Sequence, residues 1–355
     1  MPPNDSHAAR LSVNRLPIEL LQEIILLAAA PWDQRTTLRL SRVSRIWRTA
    51  VLGLPYLFTE ADWYGWPVSR VEWWCERAGA RPLTIRLYPR FNTVPWADNA
   101  VIARYAPQCG VFQLKPDDWL SRTVLHETTR ALLTAQAPAL RHLEISSSES
   151  TFISDTLDIY IDSDNMPNLC VLRTRGVIPH ISKPLAGVTE MEYFITGLKA
   201  WDAWTKALTK LPNLKHLNLS FNPDDYGFHE GLRTALPSLE ILVLSGIHYH
   251  NMSNVRSFFA CAELPKLRLI SLFNIGCKDA CRGTIELLVR IISRIGPAML
   301  IARPGTLCTG VKAAYSFRIQ QTLSIKPCPA SPQRFTHTSS TGRSPPIVSC
   351  ELHAS

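Results

Sequence analysis

Leu214-Lys215-His216-Leu217-Asn218-Leu219 is the clearest copy of a six-residue pattern, Leu-x-x-Leu-x-Leu, that returns through the middle of the chain. Copies begin at residues 140, 169, 214, 239 and 267, and a degraded copy begins at 188, so the steps are 29, 19, 26, 25 and 28 residues. Because side chains alternate between the two faces of a strand, each copy predicts a short strand with its leucines on one face. One such strand cannot bury its leucines alone, so the recurrence predicts stacked neighbours that share an apolar core.

This pattern and its period resemble leucine-rich repeats. The resemblance implies an irregular α/β solenoid over residues 61–299, with strands at Leu83–Leu87 and Val111–Leu114 at its start and helical segments such as 201–210 on its outer layer. Residues between the leucines would lie on the inner face, which is apolar toward its C-terminal end, and exposed apolar patches usually bind a partner. The predicted target-binding residues are His216, Asn218, Ile241, Val243, Leu269, Ser271 and Phe273, and the inner face would also carry His142, Glu144, Glu190 and Glu192. The alternative is that the C-terminal tail covers this face.

A second informative stretch, Leu16-Pro17-Ile18-Glu19-Leu20-Leu21-Gln22-Glu23-Ile24-Ile25, lies near the N-terminus. Pro17 fits a first helical turn, where its missing N–H is not needed, and Glu19 suits the positive end of the helix dipole. Apolar residues at 20, 21, 24, 25, 27 and 28 cover more than one narrow stripe. A helix with this pattern must bury two faces, and a short N-terminal module offers only one core, so the second face predicts a partner protein.

Two further blocks, Val43-Ser44-Arg45-Ile46-Trp47-Arg48 and Leu54-Pro55-Tyr56-Leu57-Phe58, follow in order, and with the first stretch they resemble the F-box. Many members have Cys where Ser44 stands and Trp where Phe58 stands. Residues 73–85 are also similar to the region that follows the F-box in many mushroom-type fungal F-box proteins. The resemblance implies a helical bundle over residues 12–60 that docks onto Skp-family adaptors of cullin-RING ubiquitin ligases. The residues implied to bind the adaptor are Leu16, Pro17, Leu20, Leu21, Ile24, Val43 and Trp47. The alternative is that these side chains form only the core of the bundle.

Periodic apolar residues between Leu38 and Val51 predict one helix that begins after an Asp33 cap and ends near Gly53. At helical pitch its arginines form one basic stripe, made of Arg35, Arg39, Arg42, Arg45 and Arg48. The stripe is either a solvated face or a surface that attracts an acidic partner and raises the association rate. Nucleic-acid binding is a third interpretation, although a recognition helix would add base-reading Asn or Gln, and only Gln34 is present at its start.

The composition predicts a folded protein with one or two domains, because 46% of the 355 residues are hydrophobic and only 19% are charged. The net charge of +9 suggests nucleic acid at first sight. However, residues 300–355 contain six Lys and Arg residues against Glu351 alone, which leaves about +4 for the remaining 299 residues. This tail is dense in Pro, Ser and Thr, so we expect residues 300–355, like residues 1–11, to be disordered.

No secretory signal and no membrane-spanning run is expected, and nine cysteines in an odd, unpaired pattern indicate free thiols. These features favour an intracellular protein of the cytoplasm, the nucleus or both. A zinc site at His248, His250, Cys277 and Cys281 is disfavoured because the His pair has loose spacing. No Gly-x-Ser-x-Gly, Gly-rich phosphate loop or His-Glu-x-x-His motif is present, so we expect neither an enzyme nor a bound cofactor or metal.

Taken together, the two resemblances imply a substrate-recognition subunit of an SCF-type cullin-RING ubiquitin ligase. Its F-box would bind a Skp-family adaptor, and through it the cullin, while the repeats would bind an unidentified target protein. The first alternative is an interaction scaffold that acts without ubiquitylation, and a less favoured one is a basic nucleic-acid-associated protein.

Overall fold

The structure is a computed structural model that describes residues 16–30, 33–63, 66–88, 99–115, 122–146, 157–195, 198–221, 234–247, 252–275, 299–304, 315–318 and 348–349. Within them the chain is a mixed α/β protein with eight α-helices, and it divides into two compact units, residues 1–140 and 141–355. Residues 1–11, most of 300–355, and the residues His248, His250, Cys277 and Cys281 lie outside the described ranges. None of the described helices combines the length and hydropathy that crossing a bilayer requires.

Three α-helices and a 3-10 helix open unit 1: α1 (Ile18–Ala28), α2 (Gln34–Leu40), α3 (Arg45–Leu52) and the 3-10 helix Pro55–Phe58. Pro17 stands at the N-cap of α1, where its missing N–H costs nothing. Asp33 caps α2, since its carboxylate accepts the N–H of Thr36 at 3.0 Å, and this contact lowers the pKa of Asp33. The expected Asp33 cap is therefore present.

The single helix expected after Asp33 is instead two helices, which is a correction to the sequence prediction. Residues 41–44 form a turn between α2 and α3. The Ser44 hydroxyl accepts the N–H of Trp47 at 3.3 Å and so begins a new helix. Ser41 donates its hydroxyl to the Leu38 carbonyl at 2.8 Å. Because serine side chains compete for backbone hydrogen bonds, this pair ends one helix and starts another although the apolar period continues.

The rest of unit 1 alternates strands and helices: β1 (Glu60–Trp63), α4 (Val68–Ala78), β2 (Leu83–Leu87), α5 (Asn99–Tyr105), a 3-10 helix (Ala106–Gln108), β3 (Cys109–Leu114) and α6 (Arg122–Thr134). The three strands are parallel, and β2 pairs with both β1 and β3. Strands were expected at 83–87 and 111–114, and β2 and β3 cover both segments.

Trp74 lies at the centre of unit 1 and is fully buried. Its ring packs edge-on against Phe58, with centroids 4.8 Å apart, and its indole N–H donates to the Glu60 carbonyl at 2.9 Å. The Gln34 amide donates to the same carbonyl, also at 2.9 Å. Helix α2, strand β1 and helix α4 are thus tied together at one backbone oxygen. The expected boundary between residues 60 and 61 therefore falls inside a compact unit.

The described residues of unit 2 form thirteen strands and two helices: β4 (His142–Ser146), β5 (Leu157–Ile161), β6 (Val171–Arg175), β7 (Val177–Ile181), β8 (Glu190–Ile195), α7 (Leu198–Thr209), β9 (His216–Phe221), β10 (Thr234–Ala235), β11 (Ile241–Ser245), α8 (Met252–Cys261), β12 (Ala262–Glu263), β13 (Leu269–Ile275), β14 (Met299–Pro304), β15 (Tyr315–Arg318) and β16 (Val348–Ser349). Nine of these strands form one sheet in the order β4-β6-β8-β9-β11-β13-β14-β15-β16. All its pairings are parallel except β14 with β15. Two parallel pairs, β5 with β7 and β10 with β12, lie apart from this sheet.

The leucine pattern accounts for the sheet, because every predicted copy supplies one of six neighbouring strands, β4 to β13. Their aligned apolar residues are at most 1% exposed, namely Leu143, Leu172, Met191, Leu217, Leu242 and Ile270. The degraded copy at 188 is β8, in which Met191 replaces leucine in the row. Tyr193 and Trp204 of α7 are also buried, with rings 6.1 Å apart, so aromatic packing supports this side of the sheet.

Strand β14 crosses the start of the segment that was expected to be disordered, and β15 and β16 lie within that segment. Met299-Leu300-Ile301 is apolar and pairs with β13, where an open edge of the sheet offers backbone hydrogen bonds. Residues 315–318 and 348–349 continue the same edge. The expectation of disorder does not hold for these strands, and the rest of 300–355 is outside the described ranges.

Gly246, directly after β11, carries a φ of +67°, and a Cβ added there would lie 2.4 Å from the Phe221 carbonyl oxygen. We expect Gly246→Ala to lower the unfolding free energy of unit 2 by about 2–4 kcal/mol, because it adds a backbone clash to left-handed strain. Gly79 has a similar φ of +63° with nothing within 4 Å of its added Cβ. Because its ψ is −134°, an added side chain is strained by the backbone conformation alone, and Gly79→Ala should cost unit 1 about 1–2 kcal/mol without a clash. Denaturant-dependent hydrogen exchange measures the loss of unfolding free energy in each unit. Equal losses in the two variants would contradict the backbone clash at Gly246.

Candidate functional site

Helix α1 divides its apolar residues between a buried face and an exposed face. Leu21 and Ile25 are fully buried. Leu20, Ile24 and Leu27 follow at steps of four and three residues, which places them together on another face of the helix. Their exposed fractions are 47%, 40% and 90%. We call Leu20, Ile24 and Leu27 the α1 stripe.

Exposed apolar side chains concentrate around this helix. Among the described residues, every substantially exposed large hydrophobic side chain except Tyr160 lies between residues 18 and 56. Beyond the α1 stripe, the set contains Ile18, Leu26, Val43, Ile46, Leu52 and Tyr56. Helix α1 is held on α3 by a hydrogen bond of 3.4 Å from the Gln22 amide to the Ala50 carbonyl. Soluble proteins rarely expose apolar side chains in such density unless the surface binds a partner.

The residues predicted to bind an adaptor differ in accessibility. Pro17, Leu20, Ile24 and Val43 are exposed, and Val43 has 61% of its surface free. Leu16 and Trp47 are half-buried. Leu21 is fully buried in the core of unit 1, so it supports the surface from beneath and offers no area for contact. Leu27 was not among the predicted residues, although its spacing from Leu20 and Ile24 signals the same face.

All five predicted arginines are exposed, but they do not share one helix: Arg35 and Arg39 lie on α2, Arg42 in the turn, and Arg45 and Arg48 on α3. The expected single stripe at helical pitch is therefore wrong, because the turn at 41–44 changes the helix axis. The five guanidinium groups nevertheless lie on the stretch from α2 to α3, which also carries the exposed side chains of Val43, Ile46 and Leu52. Such a surface favours an acidic partner with apolar side chains of its own.

A second candidate surface lies on unit 2, on the face of strands β4 to β13 opposite the leucine core; we call it the second face. Strand register aligns its side chains in rows across the sheet. One row is His142, Val171, Glu190, His216, Ile241 and Leu269, and the next is Glu144, Arg173, Glu192, Asn218, Val243 and Ser271. Phe273 aligns with Ser245 further along.

The seven predicted target-binding residues therefore come together on this face. His216 is exposed, Asn218, Ile241, Val243, Leu269 and Phe273 are half-buried, and Ser271 is buried at 7% exposure. Ser271 thus adds little accessible surface. Arg173 was missed, although alternation within the copy that begins at Leu169 places it on the same face.

Charge on the second face is concentrated on β4, β6 and β8. The Arg173 guanidinium lies 2.7 Å from the Glu190 carboxylate and 3.6 Å from that of Glu192. Mainly through its hydrogen bond to Glu190, Arg173 has a pKa above the ordinary arginine value. Glu144 of β4 and the exposed Arg175 of β6 lie on the same face, so three carboxylates and two guanidinium groups meet across β4, β6 and β8, which leaves one negative charge in excess. The strands on the other side, β11 and β13, present Ile241, Val243 and Leu269 instead.

Within the described ranges, no cluster of three or more His, Cys, Asp or Glu side chains is arranged to hold a metal ion. The described cysteines are free thiols. Burial raises the pKa of both Cys75 and Cys109 to about 12, so neither thiol is activated as a nucleophile. The two described surfaces differ in character, since the α1 stripe is apolar and the second face is mixed.

These thiols give a direct test of the packing of unit 1. At pH 8, iodoacetamide should alkylate the half-buried Cys170 and Cys261 at least about 100-fold faster than Cys75 and Cys109, measured site by site with mass spectrometry. The folded-state pKa exceeds the unfolded value of 9.0, so the neutral thiols stabilise unit 1 fully below pH 9. That stability is lost as the pH rises towards 12. Rapid labelling of Cys75 in native protein would disprove its burial.

Comparison of the sequence with known protein families finds no matching family, and comparison with curated proteins finds no significant relative.

Proposed function

We propose that this chain is a substrate-recognition subunit of an SCF-type cullin-RING ubiquitin ligase, acting in the cytoplasm or nucleus. In this proposal the helices of residues 16–58 are an F-box-like module that binds a Skp-family adaptor. Unit 2 is a leucine-rich-repeat-like array whose second face binds the target protein. The chain itself is non-catalytic, since ubiquitin transfer belongs to the other subunits.

The observation that carries this proposal is the α1 stripe. Leu20, Ile24 and Leu27 leave most of an apolar helix face exposed, while Leu21 and Ile25 already fill the core beneath it. Covering the exposed parts of these three side chains would contribute about 3–5 kcal/mol. An apolar stripe at steps of four and three residues is also the form in which one helix docks into the groove of another protein. Leu20 and Ile24 of the stripe belong to the first block of the F-box resemblance, and Leu27 follows that block.

The surrounding arginines support the same assignment. Five exposed guanidinium groups lie on α2, the following turn and α3. They would steer an acidic adaptor towards the apolar stripe and so raise the association rate. Added salt screens this attraction, so the association rate should fall as the salt concentration rises, while the dissociation rate should change little.

The proposed mechanism is an increase in effective concentration. A protein that binds an adaptor through unit 1 and a target through unit 2 makes the target local to the ligase without forming a new chemical bond. Target lysines would then meet the ubiquitin-charged enzyme more often than they do in free solution. This mechanism needs two binding surfaces on one chain, and the α1 stripe and the second face provide candidates for both.

Reconstitution with purified components tests the proposal. The full chain is mixed with a Skp-family adaptor, with and without the cullin, and complexes are measured by size-exclusion chromatography and calorimetry. We expect a one-to-one adaptor complex with a Kd below about 1 μM, and cullin recruitment only when the adaptor is present. Adaptor binding without cullin recruitment would favour the scaffold alternative. Failure to bind the adaptor at all would overturn the proposal.

A further inference from the structure

We infer that the second face binds an extended segment of a partner protein in which a Lys or Arg is separated by four positions from a large apolar residue. This inference rests on the proposed function, because it specifies the class of target that unit 2 would hold. It depends on three features of the face, namely its charge, its apolar strands and the distance between them.

The charged part of the face selects a basic side chain. Glu190 and Glu192 keep 36% and 44% of their side-chain surface exposed, and both lie near the guanidinium of Arg173. With Glu144, three carboxylates stand against the guanidinium groups of Arg173 and Arg175, so one negative charge is in excess. The exposed carboxylates also retain acceptor positions, which a ligand ammonium or guanidinium would satisfy. The same carboxylates repel phosphate groups, so this surface favours a peptide over a nucleic acid.

The apolar part of the face lies two and three strands away. Ile241 and Val243 on β11, and Leu269 on β13, are half-buried, and they follow Glu190 and Glu192 in the same two rows. Their remaining exposed surface is too shallow to hold a folded domain core, but it suits one or two aliphatic or aromatic side chains.

The spacing between strands sets the distance between the basic residue and the apolar residue of the ligand. Neighbouring strands are about 4.8 Å apart, so the glutamates of β8 lie about 10 Å from β11 and about 14 Å from β13. An extended peptide advances about 3.3 Å per residue and returns to the same side every second residue. Positions i and i+4 are thus about 13 Å apart and face the same way. A peptide that crosses the strands can place its basic residue on β8 and its apolar residue between β11 and β13, in either chain direction.

Selection from a displayed library of random twelve-residue peptides on the full-length chain tests this inference. We expect enrichment of sequences with Lys or Arg four positions from Leu, Ile, Phe or Met. Glu190→Gln with Glu192→Gln should weaken a selected peptide by about tenfold and remove the preference for the basic residue. Ile241→Ser with Val243→Ser should remove the apolar preference instead.

Matched controls lie outside the second face. Glu263→Gln on β12 removes one carboxylate, and Tyr160→Ser on β5 removes an exposed ring, and both variants should select the same peptides as the unmodified chain. Circular dichroism and adaptor binding are measured on every variant. If the unmodified chain selects no peptides but binds the adaptor normally, this inference alone is overturned. If the unmodified chain selects the expected peptides but does not bind the adaptor, the proposed function alone is overturned.

Other outcomes of the selection experiment would also overturn the inference. Enrichment of acidic peptides, or identical selection by the unmodified chain and the Glu190→Gln, Glu192→Gln variant, would overturn the inference. Preferential capture of a single-stranded oligonucleotide over the selected peptides would do the same. A synthetic peptide of residues 319–347 is added as a competitor, because this segment carries Lys326, Arg334 and Arg343. If it displaces the selected peptides at equal concentration, the occupant is the chain's own tail and the partner assignment is wrong.

Discussion

Replacing Leu20 and Ile24 together by aspartate is expected to weaken adaptor binding by more than about 100-fold while the fold is retained. Both side chains are substantially exposed, so the free protein loses little packing. In the complex, the variant would lose the apolar contact area and would bury two carboxylates without partners, and each effect opposes binding. Calorimetric titration with the adaptor measures the affinity, and thermal unfolding of the free variant measures its stability.

A matched control comes from the same helix. Leu26 is 42% exposed, close to the 40% of Ile24, but it lies on a different side of α1 from the stripe. Leu26→Asp should therefore change adaptor affinity far less than Ile24→Asp, although both add the same charge to the same helix. Leu21→Asp is unsuitable for this purpose, because Leu21 is fully buried and its replacement would unfold the module. Equal effects of the Ile24 and Leu26 variants would place the docking surface elsewhere.

Replacing Trp74 by alanine is expected to lower the unfolding free energy of unit 1 by about 3–5 kcal/mol. Trp74 is among the largest fully buried side chains, and its removal leaves a cavity beside Phe58 and Trp66, whose ring centroid lies 5.5 Å away. It also removes one of the two donors to the Glu60 carbonyl. Urea unfolding, with hydrogen exchange of residues 68–87 as the local readout, measures this loss.

Trp74→Phe separates packing from hydrogen bonding. The phenyl ring would keep most of the contact with Phe58 but cannot donate to the Glu60 carbonyl. Gln34 still donates to that oxygen, so it would not be left without a partner. We therefore expect this variant to cost about 1–2 kcal/mol, well below the alanine variant. If both variants cost the same, the hydrogen bond rather than the packed ring would be the main contribution of Trp74.

The six strands of unit 2 that carry the leucine pattern were predictable because their signal is local. Alternation in a segment such as Leu239–Leu244 sets both the strand and the face on which each side chain lies. The row of aligned leucines then fixes the register, because a shift by one residue would move the apolar set to the other face. For the same reason His216, Ile241 and Leu269 could be assigned to one surface before their pairing was known.

The N-terminal helices were harder to predict, because their arrangement depends on competing local contacts and on packing. The apolar period from Leu38 to Val51 gave no sign of the break that the Ser44 cap creates. Leu20 and Leu21 are adjacent and identical in type, yet one is exposed and the other buried, since only the position of α3 decides which side of α1 becomes core. Sequence alone also could not place Trp74 against the residues just before position 60, because their contact depends on how α4 folds back.

The shared oxygen of Glu60 has a practical consequence for anyone who shortens this polypeptide. A piece that stops at residue 60 would keep Gln34 but lose Trp74, nearly all of β1 and Arg86, which binds the Glu60 carboxylate at 2.6 Å. The apolar surface around Phe58 that Trp74 covers would then be exposed and would invite aggregation. The shortest self-sufficient N-terminal piece should therefore extend at least through Leu87, and adaptor-binding measurements on anything shorter would report misfolding rather than recognition.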